Sequence, residues 1–383
     1  MVRDKFNLDQ DTVKWTAVGE EKYSLNKKEI TRICERDVLE TAARLFGTSK
    51  DRLGKFEDSE GCANLVYYFE RDGQQRILRI SFRTDRSLEN IQAEMHFVNY
   101  LAENGVRVSK PILSEKGNLL EVIHAAGMPF IAVSFVRGRG MRMPDNGYRY
   151  REGVPMQEYF QNWGAVLGQM HRLAKTYQPL SKAIRRPEWR TCDIFTGFPY
   201  EERLPAIQSK YDHLITELHA LPKDVDSYGL VHFDFNDGNF TVDYDNGDIT
   251  VFDFDDSCYF WFMFELASAW EGGIGWVRSR PLAERKAFMD RYMEQVMEGY
   301  TRENTLSSEW LDRMPLFLRL VQMQELVYFA QYLGGPDEEI QAGLRYKIRC
   351  IEDDIPYLGF FDRVFSPETP FALPEGEKDG AFR

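Results

Sequence analysis

Hydrophobic spacing in the first third of the chain alternates between helical and strand-like. The predicted elements are a helix over 29–46, strands over 63–70 and 75–82, a helix over 88–103, and strands over 119–124 and 130–136. Gly47 stands where the first helix should stop. Asp72-Gly73 joins the first two strands and tolerates positive φ, so it predicts a tight hairpin turn.

The remaining two thirds are predominantly helical in pattern. A polar loop after Gly138 and Gly140 marks a boundary within 137–153. We predict helices over 156–176, over 200–221 and through most of 261–353, with one hairpin of strands 239–244 and 248–254 turning at Asn246-Gly247. The aromatic run after Asp256 is expected to pass straight into a helix.

This order of elements predicts an α+β protein with two lobes. A chain of 383 residues exceeds what one hydrophobic core usually holds. We assign residues 1–28 to an N-terminal extension, 29–136 to a lobe with a small antiparallel sheet, 137–365 to a larger and mainly helical lobe, and 366–383 to a mobile tail rich in Pro, Gly and charge.

Composition excludes several classes of partner. The net charge is −13, which argues against nucleic acid, because proteins that bind the phosphate backbone need a positive surface. Such a charge suits a cationic small molecule. No apolar run approaches the roughly 20 residues that span a bilayer, so no membrane is expected. The five cysteines include no Cys-x-x-Cys pair and indicate a reduced, cytoplasmic protein.

The most informative motif is His232-x-Asp234-x-x-x-x-Asn239, which is followed by a predicted hairpin. The second strand of this hairpin ends in Asp253, 19 positions after Asp234. Phosphoryl transfer needs one carboxylate to orient the acceptor hydroxyl, and an amide with a second carboxylate to hold Mg²⁺ on the phosphates. A merely solvated acidic hairpin explains Asp243 and its neighbours, but it does not explain this ordered set.

These residues resemble the catalytic and metal-binding loops of the aminoglycoside phosphotransferase and choline kinase-like superfamily, a branch of the protein-kinase-like fold. The resemblance implies ATP and Mg²⁺ as cofactors. It implies Asp234 as the catalytic base, His232 as a brace for the loop, and Asn239 and Asp253 as the metal ligands. The expected reaction is phosphorylation of a hydroxyl group on a small molecule.

If the chain is a kinase, its first lobe must supply a cation for the phosphates and a carboxylate to hold it. Arg79 on a strand and Glu94 on the following helix fit these roles, and Ile77 shares a face with Arg79, where it can pack on adenine. The family usually has Lys at this strand position. The alternative is a solvated strand arginine and a surface glutamate.

The resemblance also suggests further nucleotide contacts. By position, Ser59 and Gly61 lie in a turn that could cover the phosphates, and a plain hairpin turn explains them equally well. Ser134 and Val136 lie on the strand that leads to the interlobe hinge, where adenine would bind. His171 closes a Leu-His-like helix and is expected to be a packed, satisfied histidine without a chemical role.

Acceptor specificity is expected in the aromatic and acidic region that follows Asp253. The candidate residues are Asp255, Asp256, Glu265, Trp270 and Glu271, whose carboxylates and aromatic faces suit an amine-bearing acceptor. The family commonly has Asp where Glu265 stands, so Glu265 is alternatively a structural substitution near the catalytic loop.

Two rival functions remain. A Ser/Thr protein kinase would have Arg between His232 and Asp234, where this chain has Phe233, and would carry a long activation loop. A catalytically inactive, kinase-like scaffold is supported by Arg79 in place of Lys. The sequence leaves open the identity of the acceptor, the choice between ATP and GTP, and the oligomeric state.

Overall fold

The computed structural model describes residues 27–56, 64–82, 86–192, 195, 197–198, 204–277, 280–330, 334–335 and 338–359. The chain forms two compact units. The smaller unit runs to residue 139 and also includes 178–185 and 250–255; the larger unit contains 140–177, 186–249 and the chain from 256 onward. Two short segments that follow the boundary in sequence therefore return to the smaller unit.

The smaller unit is built on one antiparallel sheet. Its strands are β1 (Gly54–Lys55), β2 (Leu65–Arg71), β3 (Gln74–Ser81), β4 (Pro111–Ile112), β5 (Leu120–Ala125) and β6 (Met128–Val136), in the order β1-β2-β3-β6-β4, with β5 also paired to β6. The turn predicted at Asp72-Gly73 is confirmed, with φ of 54° and 71°. A second turn of the same kind, Ala126-Gly127, joins β5 to β6 and was not predicted.

Helices cover both faces of this sheet. The predicted first helix is interrupted: α1 (Lys27–Ile33) and α2 (Leu39–Leu45) are separated by one π-helical segment, Cys34–Val38. This helix pair packs with Phe130 on one face, whereas α3 (Leu88–Glu103) packs with Ile131 on the other, as the alternation along β6 requires. The side chain of Ser87 caps α3 by accepting the Asn90 N–H.

The larger unit is mainly helical. Its helices are α4 (Met156–Ala174), α5 (Pro205–Ala220), α6 (Phe262–Val277), α7 (Leu282–Glu303), α8 (Ser308–Leu311), α9 (Met314–Ala330) and α10 (Glu338–Glu352). The strands β7 (Tyr228–Val231) and β10 (Cys258–Trp261) form one two-stranded antiparallel sheet, and β8 (Phe240–Val242) and β9 (Ile249–Val251) form another. The expectation that the chain passes straight from Asp256 into a helix is wrong, because β10 intervenes and pairs with β7.

Helices α4 and α7 touch through glycines. A Cβ added at Gly164 would lie 1.9 Å from the carbonyl oxygen of Val296, and one added at Gly299 would lie 1.9 Å from the carbonyl oxygen of Gln161. Any side chain there would force the helices apart. Within the described part of the chain, no helix is long and apolar enough to cross a membrane.

Candidate active site

The loop after β7 holds Asp234 by its side chain. Asn236 Nδ2 donates to one carboxylate oxygen of Asp234 at 2.9 Å, and Asn239 Nδ2 donates to the other at 2.8 Å. Asn236 in turn accepts the Gly238 N–H through its own side chain at 2.9 Å. The carboxylate is therefore aimed before any ligand binds.

Asn239 has a second function within this loop. Its Nδ2 also donates to the Asp234 carbonyl oxygen at 2.8 Å, so both printed bonds of the side chain use the nitrogen. The amide oxygen, which is the atom that a hard cation binds, consequently faces away from Asp234. Asn236 was not predicted from the sequence, although its position two residues after Asp234 is typical of a side chain that closes a local turn.

The backbone just before Asp234 is unusual. Phe233 has φ of 74°, a region that bulky residues rarely adopt. Its N–H donates to Glu265 Oε1 at 2.8 Å, while its ring stacks on Phe264 with centroids 4.9 Å apart. His232, whose side chain is buried, precedes it. Contacts from α6 thus hold the unfavourable conformation that presents Asp234.

Glu265 belongs to a buried chain of hydrogen bonds. Its Oε2 lies 2.7 Å from His171 Nε2, and His171 Nδ1 lies 2.9 Å from the Tyr300 hydroxyl. Asn304 Nδ2 donates to that hydroxyl at 2.8 Å. One arrangement satisfies every member: Asn304 donates to Tyr300, Tyr300 to the neutral His171, and His171 to Glu265.

This chain decides two of the sequence expectations. His171 is fully buried and bonded at both ring nitrogens, so the prediction of a packed, satisfied histidine is confirmed. Glu265 is only 2% exposed and uses both carboxylate oxygens internally. Its assignment as an acceptor-binding residue is therefore wrong, and the structural alternative, a support under the catalytic loop, is correct.

In the smaller unit, Arg79 and Glu94 form a buried ion pair. Arg79 Nη2 donates to Glu94 Oε2 at 2.8 Å, and the two side chains are 6% and 2% exposed. The alternative of a solvated arginine and a surface glutamate is therefore excluded. The guanidinium also lies over the Phe135 ring, 5.3 Å from its centroid.

The charge of Arg79 is secured by its surroundings. Burial alone would lower the pKa of Arg79, but the nearby carboxylates of Glu94, Asp255 and Asp253 raise it above its ordinary value. Arg79 Nε has no hydrogen-bond partner among the described residues, although it is buried. The smaller unit thus contains a permanent cation that faces three carboxylates.

Asp253 and Asp255 lie on a segment that is anchored to the smaller unit. Val251, which precedes them, exchanges backbone hydrogen bonds with Arg107 and Ser109 at 3.0 and 2.8 Å. Asp253 has φ of 67°, another unfavourable backbone conformation. Among the described residues, no group of three or more His, Cys, Asp or Glu side chains is placed to hold a metal ion.

Asn64 is a site residue that the sequence did not reveal. Its Nδ2 donates to Asp255 Oδ2 at 3.2 Å, and its Oδ1 accepts the Ser81 hydroxyl at 2.8 Å. A buried asparagine between two strands thus ties Asp255 to the sheet. No sequence signal distinguishes such an asparagine from the many that occur in turns.

The other predicted nucleotide contacts have different surroundings. Ile77 is half-buried and packs beside α3. The Ser134 hydroxyl is buried and donates to the Ile77 carbonyl oxygen at 2.9 Å. The Val136 N–H donates to the Lys110 carbonyl oxygen at 2.9 Å, so this donor is already paired. Ser59 and Gly61 lie outside the described residues.

The predicted acceptor residues do not form one group. Asp255 belongs to the smaller unit, whereas Asp256, Trp270 and Glu271 belong to the larger one. Trp270 packs against Tyr357 with ring centroids 4.8 Å apart. Asp256 and Glu271 are partly exposed.

Comparison with known proteins identifies close relatives. Residues 57–303 match the family described as "Phosphotransferase enzyme family". The chain is 33% identical over 344 residues to the amicoumacin kinase of Bacillus subtilis (strain 168), an alignment that covers 87% of this chain and 97% of the relative.

Two solved structures share its fold. An amicoumacin kinase in complex with AMP-PNP, Ca²⁺ and Ami superposes with a TM-score of 0.74 at 30% identity, covering 86% of this chain and 97% of that one. A microcompartment-associated aminopropanol kinase superposes with a TM-score of 0.63 at 19% identity, covering 82% and 94% of the two chains. The second likeness shows the fold alone.

Proposed function

Because the chain belongs to the phosphotransferase enzyme family, we propose that it transfers the terminal phosphoryl group of ATP to a hydroxyl group of a small, amine-bearing molecule. At the coarser level it is an ATP-dependent small-molecule kinase that uses a divalent metal, like the amicoumacin kinases it resembles. The proposal concerns the roles of individual residues and the class of acceptor.

Asp234 is the proposed catalytic base. The observation that carries this role is the pair of amide donors, Asn236 and Asn239, that fix its two carboxylate oxygens. A carboxylate held in this way can accept the proton of the acceptor hydroxyl as the acceptor oxygen bonds to phosphorus and the bond to the ADP oxygen breaks. His232 braces the loop from its buried position.

The residues present fit ATP and Mg²⁺. When bound, Mg²⁺ neutralises the charge that develops on the phosphates. Asn239 offers an amide oxygen turned away from Asp234, and Asp253 offers a carboxylate; Mg²⁺ usually takes only one or two such protein ligands and completes its shell with phosphates and water. Arg79, held by Glu94, is the proposed cation for the phosphates, with Ile77 beside adenine.

The acceptor class is inferred from charge and from the relatives. The chain carries a net charge of −13, and the named relatives act on amicoumacin and on aminopropanol. Asp256, Trp270 and Glu271 remain proposed acceptor contacts. A protonated amine would be attracted to such carboxylates and would orient the hydroxyl for transfer.

The test measures ADP formation by the purified chain with ATP and Mg²⁺ over a panel of amicoumacin, 1-amino-2-propanol, homoserine and an aminoglycoside. Product is identified by the mass of one added phosphoryl group. The matched control is Asp234→Asn, which keeps the shape of the side chain and removes the base. Absence of turnover with every acceptor, despite Mg²⁺-dependent ATP binding, would favour an inactive scaffold.

A further inference from the structure

A short turn in the larger unit holds an aromatic ring in an unfavourable backbone conformation. Tyr148 has φ of 58°, although it is a bulky residue and only partly buried. Its N–H donates to the Met143 carbonyl oxygen at 2.9 Å, and Asn146 Nδ2 donates to the Arg149 carbonyl oxygen at 2.9 Å. The turn is thus closed by its own hydrogen bonds and fixes where the ring stands.

The Tyr148 ring meets Trp276 at a right angle. The two ring centroids are 5.1 Å apart and the planes are perpendicular, so the rings form a corner. Trp276 also contacts Tyr159 and Phe160, with centroids 6.2 and 5.8 Å away. Tyr159 and Phe160 are buried, whereas Tyr148 and Trp276 keep part of their surface exposed. A buried aromatic layer therefore backs an accessible corner.

Core packing accounts for the buried rings but does not account for Tyr148. A residue that serves only to fill the core gains nothing from a left-handed backbone at a partly exposed position, where glycine would be favoured. Backbone strain of this kind commonly occurs where a side chain must contact a ligand.

Two carboxylates face the same aromatic layer. Burial raises the pKa of the Tyr159 phenol well above its ordinary value, and the negative charge of Asp237 raises it further. For the Tyr292 phenol, burial is again the first cause, followed by Asp237 and Glu271. These phenols stay neutral, so the two carboxylates set the charge of this region. Both carboxylates are partly exposed.

Asp237 also has a fixed relation to the chemistry. It follows Asp234 by three residues in the same loop, so the two Cα atoms are separated by about 11 Å at most. That span fits a small molecule whose amine and hydroxyl group are only a few bonds apart.

We propose that Tyr148 and Trp276 form the walls of a subsite for the protonated amine of the acceptor, with Asp237 as its charge partner and Glu271 as a second carboxylate. An ammonium group placed on an aromatic face beside a carboxylate is stabilised by both. The inference rests on the proposed function and adds to it the residues that select the acceptor. Asp237, Tyr148 and Trp276 were not among the residues expected from the sequence.

The first test separates binding from stability at Tyr148. Glycine adopts φ of 58° without penalty, so Tyr148→Gly should keep or raise Tm. The same variant should raise KM for 1-amino-2-propanol by about tenfold and leave KM for ATP unchanged, while Tyr148→Phe, which keeps the ring, should behave as the wild type. A lower Tm with an unchanged acceptor KM would show that the ring is only structural.

The second test addresses charge. Asp237→Asn should raise KM for 1-amino-2-propanol about tenfold or more and abolish its preference over 2-butanol, in which methyl replaces the amine. The matched control is Asp245→Asn, which makes the same change of charge at an exposed residue in the turn between β8 and β9. Equal effects of the two variants would reduce the inference to a general effect of net charge.

Failure of the inference and failure of the proposed function differ in the wild type. A wild-type chain that consumes ATP with no acceptor overturns the proposed function. A wild-type chain that phosphorylates other hydroxyl compounds, while 1-amino-2-propanol neither reacts nor inhibits, leaves the kinase intact and overturns the amine subsite.

Discussion

Replacing Glu265 by glutamine tests the buried chain that supports the catalytic loop. Glutamine can still accept the Phe233 N–H, but its amide then faces His171 Nε2, so His171 must move its proton to Nδ1 and donate to Tyr300. Tyr300 already accepts from Asn304, and its own hydroxyl proton loses its acceptor. The reversed chain therefore leaves one buried donor without a partner.

The expected cost follows from these bonds. Two hydrogen bonds to a buried carboxylate become neutral ones, each weaker by about 1 kcal/mol, and the orphaned hydroxyl costs about 1 to 3 kcal/mol. Relief from burying a charge offsets part of this. We expect Glu265→Gln to lower the free energy of unfolding by about 2 kcal/mol, a loss that a protein of ordinary stability survives. Glu265→Ala would orphan two donors and open a void, so it is the less useful variant.

Turnover should fall with stability in this variant. Phe233 is held at φ of 74° by the weakened bond, and about 1.4 kcal/mol lost in presenting Asp234 lowers kcat about tenfold. Because Glu265 does not face ATP in this interpretation, KM for ATP should stay within about twofold. Urea unfolding and steady-state kinetics measure the two effects, with Glu298→Gln on the exposed face of α7 as the control. An unchanged denaturation midpoint together with an unchanged kcat would refute the reasoning.

Three further predictions concern other residues. Asp253→Asn should raise the Mg²⁺ concentration and the KM for ATP needed for turnover, whereas Asp234→Asn should mainly lower kcat; equal loss of ATP affinity in both would show that the roles are misassigned. Arg79→Met should lower stability by about 3 to 5 kcal/mol because it leaves a buried carboxylate unpaired, and Arg79→Lys by less; equal denaturation midpoints for the two variants would contradict a buried ion pair. Gly299→Ala should cost about 2 kcal/mol or more in calorimetry because its Cβ meets a carbonyl of α4, whereas Gly275→Ala, which meets open space on α6, should stabilise by about 0.5 kcal/mol; similar effects at both sites would be evidence against the close helix contact.

The sequence predicts those elements whose signals are local. The helix over 88–103 is periodic over four turns and has Ser87 as a cap, and the structure confirms both of its ends. The turn at Asp72-Gly73 is encoded by two residues alone. By contrast, Cys258–Trp261 is a short, continuous apolar run, and such a run suits a buried strand or a helix equally. Only its pairing with β7 decides between the two.

The site shows the same division between local and distant signals. The His232 to Asn239 spacing is contiguous and therefore readable. The roles of Glu265 and Asn64 depend on partners that are distant in sequence: Glu265 meets Phe233 across 32 positions, and Asn64 meets Asp255 across 191. No periodicity or local propensity specifies such pairs, because they exist only once the units have folded.

The division of the chain also has a consequence for its synthesis. The smaller unit is completed by 250–255, the segment that carries Asp253 and that bonds to the backbone at Arg107 and Ser109. More than a hundred residues separate this segment from residue 139. At a translation rate of roughly 5 to 20 residues per second, the nascent sheet waits on the order of ten seconds for its last piece. During that interval the backbone groups of Arg107 and Ser109 lack their native partner, so chaperone demand should be highest before residue 255 leaves the ribosome.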